Sequence, residues 1–350
     1  MKLKVGMIGA GGVAKRAHMN ALNALKEFIE VISVSDVNIE AAKTLAEAVG
    51  AARIYSNYHE LLSIKEIDAV VVTTPNFLHS TISIDALKAG KHVLCEKPLA
   101  INPVEAKKMI ETAKGQGKIL MTALNNRFRD EVAVIKNDIL QNKLGDIYHA
   151  KCGWVRRSGI PGWGGWFTNK SLSGGGPLID LGVHMLDLTL YLMGDPKVVS
   201  VSAATYQKFG HKGTTRARAV ANPNGIYDVE DYVTAFIRLE NGATINLDTS
   251  WASNIEKEKV FVQLLGDKAG VDLTNGNPLT YFTEEDGKEV NYQPNSSFVD
   301  SNAHKNMWKH FYESIINQTA PLPSGERGLQ INQILDAIYT SSLTKHEVYL

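Results

Sequence analysis

Along the first 120 residues, apolar positions fall in short unbroken runs: Lys4–Ile8, Ile29–Ser35, Ala69–Thr73, His92–Cys95 and Ile119–Thr122. Consecutive apolar positions suit strands covered on both faces, as in a parallel sheet. Helical spacing separates the runs, over Val13–Lys26, Ile39–Val49, Leu78–Ala89 and Pro103–Lys114, with a short helix at Glu60 and Leu61. Gly50 and Gly90 stand where two of these helices should stop. Strand and helix in alternation predict a doubly wound α/β domain.

After about residue 123 the period changes to two. Ile147–Trp154, Val198–Tyr206, Tyr232–Leu239, Ala243–Thr249, Lys259–Leu265 and Gly270–Leu273 alternate apolar with polar, and Asn241-Gly242 is a hairpin turn. These are mostly antiparallel signals. Helices are expected near 128–140, 177–193, 302–319 and 326–341. The expected division is therefore a dinucleotide-binding α/β domain over 1–123 and an α+β domain over 124–350 with one large, mostly antiparallel open sheet, whose free face suits subunit contact.

Composition narrows the partners. The chain has 350 residues, 44% of them hydrophobic, with 37 basic and 37 acidic side chains. Balanced charge provides no bulk field for nucleic acid or an acidic membrane. No apolar run approaches the length of a membrane span. A short apolar run follows the first lysines, but KRAHMNAL interrupts it before a signal peptide could form. Cys95 and Cys152 make no disulfide framework, so both are expected as reduced thiols in a cytoplasmic protein.

Gly9-Ala10-Gly11-Gly12-Val13-Ala14 follows a strand and opens a helix, the context in which GxGxxA binds a dinucleotide. Gly9 permits the turn, Gly11 lets the pyrophosphate approach, and Ala14 allows close helix–strand packing. Asp36 ends the second strand, where a carboxylate accepts from adenosine ribose and repels the extra phosphate of NADP. Val37 and Asn38 follow it, with no Arg or Lys, which favours NAD. Thr74, Pro75 and Asn76 end the next strand on the same edge, with Asn76 expected as a helix N-cap and His79 in the first turn beyond it. Glu96, Lys97 and Pro98 occupy that edge after HVLC. Lys97 is either a solvated turn lysine or an ammonium poised to stabilise a developing alkoxide.

The stretch GGGPLIDLGVHMLDLTLYLMG reads as a buried helix, yet it carries Asp180, His184 and Asp187. Spacings of four and three stack them on one face. Histidine suits proton removal from a hydroxyl. Asp180, one turn earlier, would orient the ring or hold a neighbouring hydroxyl, and Asp187, a turn deeper, is expected to be scaffold.

The GAGGVA turn, the TPN-x-x-H loop, the EKP triplet and GGG-x-L-x-D-x-G-x-H occur in this order across the chain. Together they resemble the oxidoreductases grouped around glucose–fructose oxidoreductase, inositol dehydrogenase and the rhizopine-catabolism protein (Gfo/Idh/MocA). The resemblance implies an N-terminal Rossmann domain, a substrate domain with a large open sheet, and hydride exchange between a pyridine nucleotide and a sugar or cyclitol carbon. It places the family's catalytic lysine, aspartate and histidine on Lys97, Asp180 and His184. It also implies that Asn125, in LNNRFR, lies close to the nicotinamide, although Asn126 stands where many relatives have arginine. Trp163, Trp166 and Phe167 are candidates for the aromatic loop that covers the cofactor, Trp166 foremost. RRSGIPGWGGWFTNKSLSGGG and YDVEDYVTAFIRLENGATINLDTSW are similar to the bacterial D-glucoside 3-dehydrogenases within that family.

His149 with Cys152, and His92 with Cys95, face opposite sides of their strands, so no metal site is expected. Arg156, Arg157, Trp163 and Lys170 are candidates for sugar hydroxyls, and His304 for the pocket. The expected activity is NAD-dependent oxidation of a sugar or glycoside hydroxyl by a homodimer or homotetramer. The alternatives are a cyclitol or sugar-phosphate dehydrogenase, a glycosidase that oxidises C3 transiently, and a non-enzymatic NAD-binding regulator.

Overall fold

A computed structural model describes residues 2–294 and 303–350. The first sheet contains β1 (Leu3–Ile8), β2 (Ile29–Ser35), β3 (Arg53–Tyr55), β4 (Ala69–Val72), β5 (His92–Cys95) and β6 (Leu120–Thr122). Their order is β3-β2-β1-β4-β5-β6, all parallel, the doubly wound arrangement that the unbroken apolar runs predict. Leu3, Val5, Met7 and Val34 are buried in one apolar cluster and Ile8, Val70, Val72 and Val93 in another.

The second sheet contains β7 (Ile147–Val155), β8 (Val198–Tyr206), β9 (Tyr232–Leu239), β10 (Thr244–Ser250), β11 (Lys259–Gly266), β12 (Ala269–Thr274), β13 (Thr280–Glu285), β14 (Lys288–Tyr292) and β15 (Val348–Tyr349). Its nine strands run β14-β13-β12-β11-β7-β10-β9-β8-β15. All pairs are antiparallel except β7 with β10. Val233, Ala235, Ile237 and Leu239 on β9, with Ile245 and Leu247 on β10, form a buried face, while their neighbours point away.

The chain forms two compact bodies. The first comprises the residues through Arg129 together with the described residues from Ala303 to Asn332; the second comprises Asp130 to residue 294 and Gln333–Leu350. The division differs from one at 123/124 in where it puts 124–129 and 303–332. The helix Ala303–Ile316 buries Met307, Trp308 and Phe311 in the cluster built on β1 and β2, so its apolar stripe belongs with the first sheet. Residue 302, included in the helix expected from the sequence, lies outside the described residues. Among the described residues, no helix is long and apolar enough to cross a membrane.

Candidate active site

The carboxyl ends of β1, β2, β4 and β5 carry Gly9–Ala14, Asp36, Thr74–Asn76 and Glu96–Pro98, so sheet topology alone gathers most of the expected cofactor residues on one edge. Gly9 has φ +104°, and a Cβ there would meet the Thr73 carbonyl carbon at 2.7 Å, so only glycine fits this turn. A Cβ on Gly11 would meet nothing within 4 Å, which leaves open space beside the backbone where a pyrophosphate must approach. The chain is helical from Gly12, and its second turn, Ala14–His18, widens to a π turn. Arg16, which motif reading overlooks, places a guanidinium nitrogen 3.0 Å from the Cβ position of Gly12, beside the phosphate turn.

Asp36 Oδ2 accepts the Ala10 N–H at 2.6 Å and Oδ1 the Asn38 N–H at 2.8 Å. The carboxylate is thereby held against the glycine turn, with lone pairs left for ribose hydroxyls. The Asn38 side chain caps the next helix at Ala41 N–H, so it gives nothing to a 2′-phosphate. Thr74 Oγ1 is buried with no partner among the described residues, an orphan that a bound dinucleotide could satisfy. The residues present therefore fit NAD.

One expectation changes on this edge. Pro75, not Asn76, holds the N-cap position of the 3₁₀ turn Asn76–Leu78, and no side-chain cap bond forms; the α-helix begins at His79. His79 is 1% exposed, and its Nδ1 and Nε2 lie 2.8 and 2.9 Å from the carbonyls of Pro98 and Thr74. Both nitrogens face backbone carbonyls and the single N–H of the neutral ring can bond only one of them, so the ring sits between the Thr74 loop and the Pro98 turn. Burial pushes its pKa down, against the pull of those two carbonyls. The Lys97–Pro98 peptide bond is cis. Glu96 is buried; Oε1 lies 2.8 Å from His18 Nε2, and Oε2 accepts the Lys97 N–H at 3.1 Å. Burial alone would push this carboxyl up, but the His18 bond and the nearby Lys97 charge bring it below the usual range. Asn125 opens a 3₁₀ turn, Asn125–Phe128, after β6 in the same body.

In the second body, the helix with the polar stripe begins at Pro177, and its first part, Leu178–Gly182, is a π turn closed by Val183 N–H to Leu178 O. A π turn bonds i to i+5, so Asp180 and His184 are not in simple α register. Asp180 and His184 are half-buried while Asp187 is 1% exposed, which separates Asp187 as interior scaffold. Asp180 Oδ2 accepts the indole N–H of the fully buried Trp251 at 2.9 Å. The His184 ring lies 6.2 Å from that of Trp154.

The glycines ahead of this helix are required by packing. A Cβ on Gly175 would stand 2.0 Å from the Tyr339 hydroxyl, and one on Gly176 would stand 2.2 Å from the Glu230 carbonyl. The close approach is to this body's own core. The buried Glu230 carboxylate accepts N–H bonds from Gly176 and Leu178 and the hydroxyl of Tyr339 at 2.8 Å, and so pins the start of the helix. Burial raises its pKa against those bonds.

Trp166 and Phe167 stack at 3.8 Å, and Phe167 meets Trp251 edge-on at 6.4 Å. Trp163 is buried, its indole N–H donated to Gly210 O. Arg156 is buried in bonds to Glu258 and Gly159 O, and Arg157 donates to Glu256 O. Arg157, unlike Arg156 and Trp163, is exposed, as is Lys170, which lies over the Tyr339 ring. His304 falls in the first body, beside His18.

The family model for the oxidoreductase family with NAD-binding Rossmann fold matches residues 3–124, and that for its C-terminal alpha/beta domain matches residues 136–350. The chain belongs to the Gfo/Idh/MocA oxidoreductases. Within this family it is 35% identical to a D-glucoside 3-dehydrogenase of Escherichia coli K12, over 99% of this chain and 97% of the relative. It is 29% identical to glucose-6-phosphate 3-dehydrogenase of Bacillus subtilis, over 96% and 95%. A levoglucosan dehydrogenase solved in complex with NADH and levoglucosan has the same fold, with a TM-score of 0.88, 24% identity, and coverage of 100% of this chain and 99% of that one.

Proposed function

We propose that this protein is a cytoplasmic NAD-dependent dehydrogenase of glycosides that transfers hydride from a secondary hydroxyl carbon, C3 of a glucoside, to the nicotinamide. The observation that carries this is the end-to-end match to a D-glucoside 3-dehydrogenase at 35% identity, in a chain that carries Lys97, Asp180 and His184. The glucose-6-phosphate relative acts on C3 as well, which supports the carbon. NAD supplies the hydride acceptor; the chain supplies position and field.

Gly9, Gly11, Gly12, Val13 and Ala14 hold the pyrophosphate, Asp36 the adenosine ribose, and Thr74, Pro75, Asn76, Glu96, Asn125 and Trp166 contribute along the rest of the dinucleotide. Asp36 selects NAD over NADP. Lys97 donates to the reacting oxygen, which favours alkoxide character as the hydride leaves. His184 takes the hydroxyl proton. Asp180, fixed by the Trp251 indole, orients a substrate hydroxyl or the imidazole. Chains assemble as a homodimer or homotetramer through the open face of the second sheet.

A panel of methyl glucosides, free sugars, phosphosugars and inositols, with NAD or NADP, tests the assignment through NADH absorbance. The glucosides with NAD should give the highest kcat/KM. Turnover on inositol alone, or with NADP alone, would overturn it.

A further inference from the structure

In the first body, His18, Glu96 and His304 present ligand atoms that all lie within 4.8 Å of one another. Two imidazoles and a carboxylate form a donor set that many transition metals accept. Hydrogen bonding points elsewhere. The Trp308 indole has a proton to give and no lone pair to offer, and it donates to His18 Nδ1 at 3.0 Å. Nδ1 must therefore be the unprotonated nitrogen. The proton of the neutral ring sits on Nε2, which lies 2.8 Å from Glu96 Oε1 and donates to it. A metal on Nε2 would need that lone pair while Nδ1 keeps its own, which requires an imidazolate. A metal-bound imidazole instead donates its other N–H. A metal on Nδ1 would displace the indole.

We propose that His18 is a positioning residue for the Glu96–Lys97 turn, locked by Trp308 in the one tautomer that can hold the Glu96 carboxylate. The carboxylate is gripped from both sides, by His18 on Oε1 and by the Lys97 backbone N–H on Oε2. Its plane thus governs the direction in which the chain leaves β5 at Lys97. His18 and Trp308 are 0% exposed and Glu96 6%, so no water competes for these bonds. The His304 ring meets His18 edge-on at 5.7 Å and closes another side. Of the proposed function, this takes over only the role of Lys97.

Histidine nitrogen-15 NMR of the wild-type protein, with His18 assigned by its loss in His18→Gln, tests the lock without substrate. The expected ring is protonated at Nε2 alone. Protonation at Nδ1, or at both nitrogens at neutral pH, would overturn the proposal. Trp308→Phe keeps the packing but removes the indole donor, and His18→Leu removes the ring. Each should lower kcat about tenfold, the scale of one hydrogen bond to a charged group, with little change in sugar KM. His18→Gln, which retains an N–H at the ε position, should recover most of the rate. Wild-type kcat in Trp308→Phe would contradict the proposal, as would stoichiometric zinc that survives dialysis in wild type and is lost in His304→Ala. If His18→Leu fails to fold, the wild-type spectrum and Trp308→Phe still decide. The predicted tautomer in a protein that oxidises no sugar would refute the proposed function alone; glucoside oxidation with the proton on Nδ1 would refute the lock alone.

Discussion

His184 stands half-buried near the start of a largely apolar helix, and its assignment as the base makes a sharp demand on kinetics. His184→Ala should lower kcat by about 10²–10⁴-fold, the usual contribution of a positioned base, with the Kd for NAD little changed. A wild-type rate across the pH range would remove it from the mechanism. Asp36→Ala should narrow the preference for NAD over NADP, because it removes the charge that repels the 2′-phosphate; an unchanged ratio of kcat/KM values would sink that role. His92 makes a stability prediction. Burial, with Lys118 nearby, pushes its pKa down to about 4, and its Nδ1 accepts the Ile119 N–H at 3.0 Å. The unfolded chain takes up this proton as pH falls through about 6.5, whereas the folded one resists until about 4. Stability linked to His92 is therefore present above about pH 6.5 and lost as pH drops toward 4. Urea midpoints measured across that window should decline less steeply in His92→Asn than in wild type. At this scale, the placing of motif residues such as Asp36 and Lys97 on the carboxyl edge was legible because it follows from position after a strand. His18 and Trp308 were not, since nothing local marks a contact between residues 290 apart in sequence.

The helix from Pro177 depends on Glu230 for its start. Glu230→Gln keeps the shape but loses the charge behind the bonds to Gly176 and Leu178, and should cost about 1–3 kcal/mol in thermal or urea unfolding. Two glycine substitutions separate packing from propensity. Gly176→Ala must push a Cβ into the Glu230 carbonyl and should destabilise, whereas Gly115→Ala, inside the helix Pro103–Gln116 with nothing within 4 Å, should stabilise by up to about 1 kcal/mol. Equal unfolding midpoints for the two variants would contradict this. Strands with strong alternation or unbroken apolar runs, such as Ile29–Ser35, His92–Cys95 and Tyr232–Leu239, match their sequence patterns end to end. The missed strands, Arg53–Tyr55, Thr280–Glu285, Lys288–Tyr292 and Val348–Tyr349, are short or largely exposed and bury too little to imprint a period. A signal was nonetheless present: Asp286 and Gly287 both have positive φ between Glu285 and Lys288, as Asp-Gly in a type I′ hairpin should. The π turn at Leu178–Gly182 had no such marker.

At the scale of the whole chain, fold and family follow from motif order, because four short motifs fall in sequence on both matched regions. The membership of 303–332 in the first body was hidden, since an amphipathic helix declares an apolar stripe but not the sheet it covers. If the dinucleotide edge binds NAD, ligand at a hundred times its Kd should stabilise the folded protein by about 2.7 kcal/mol, read as a rise in Tm, and NADP at equal concentration should do less. Light scattering should give a dimer or tetramer, and a monomer at all concentrations would remove the sheet-face assembly. Hydride transfer from one carbon is tested most directly by isotope. Methyl glucoside deuterated at C3 should pass its deuterium to the nicotinamide and leave a 3-keto product; NADH formed without deuterium, or oxidation located at another carbon, would contradict it.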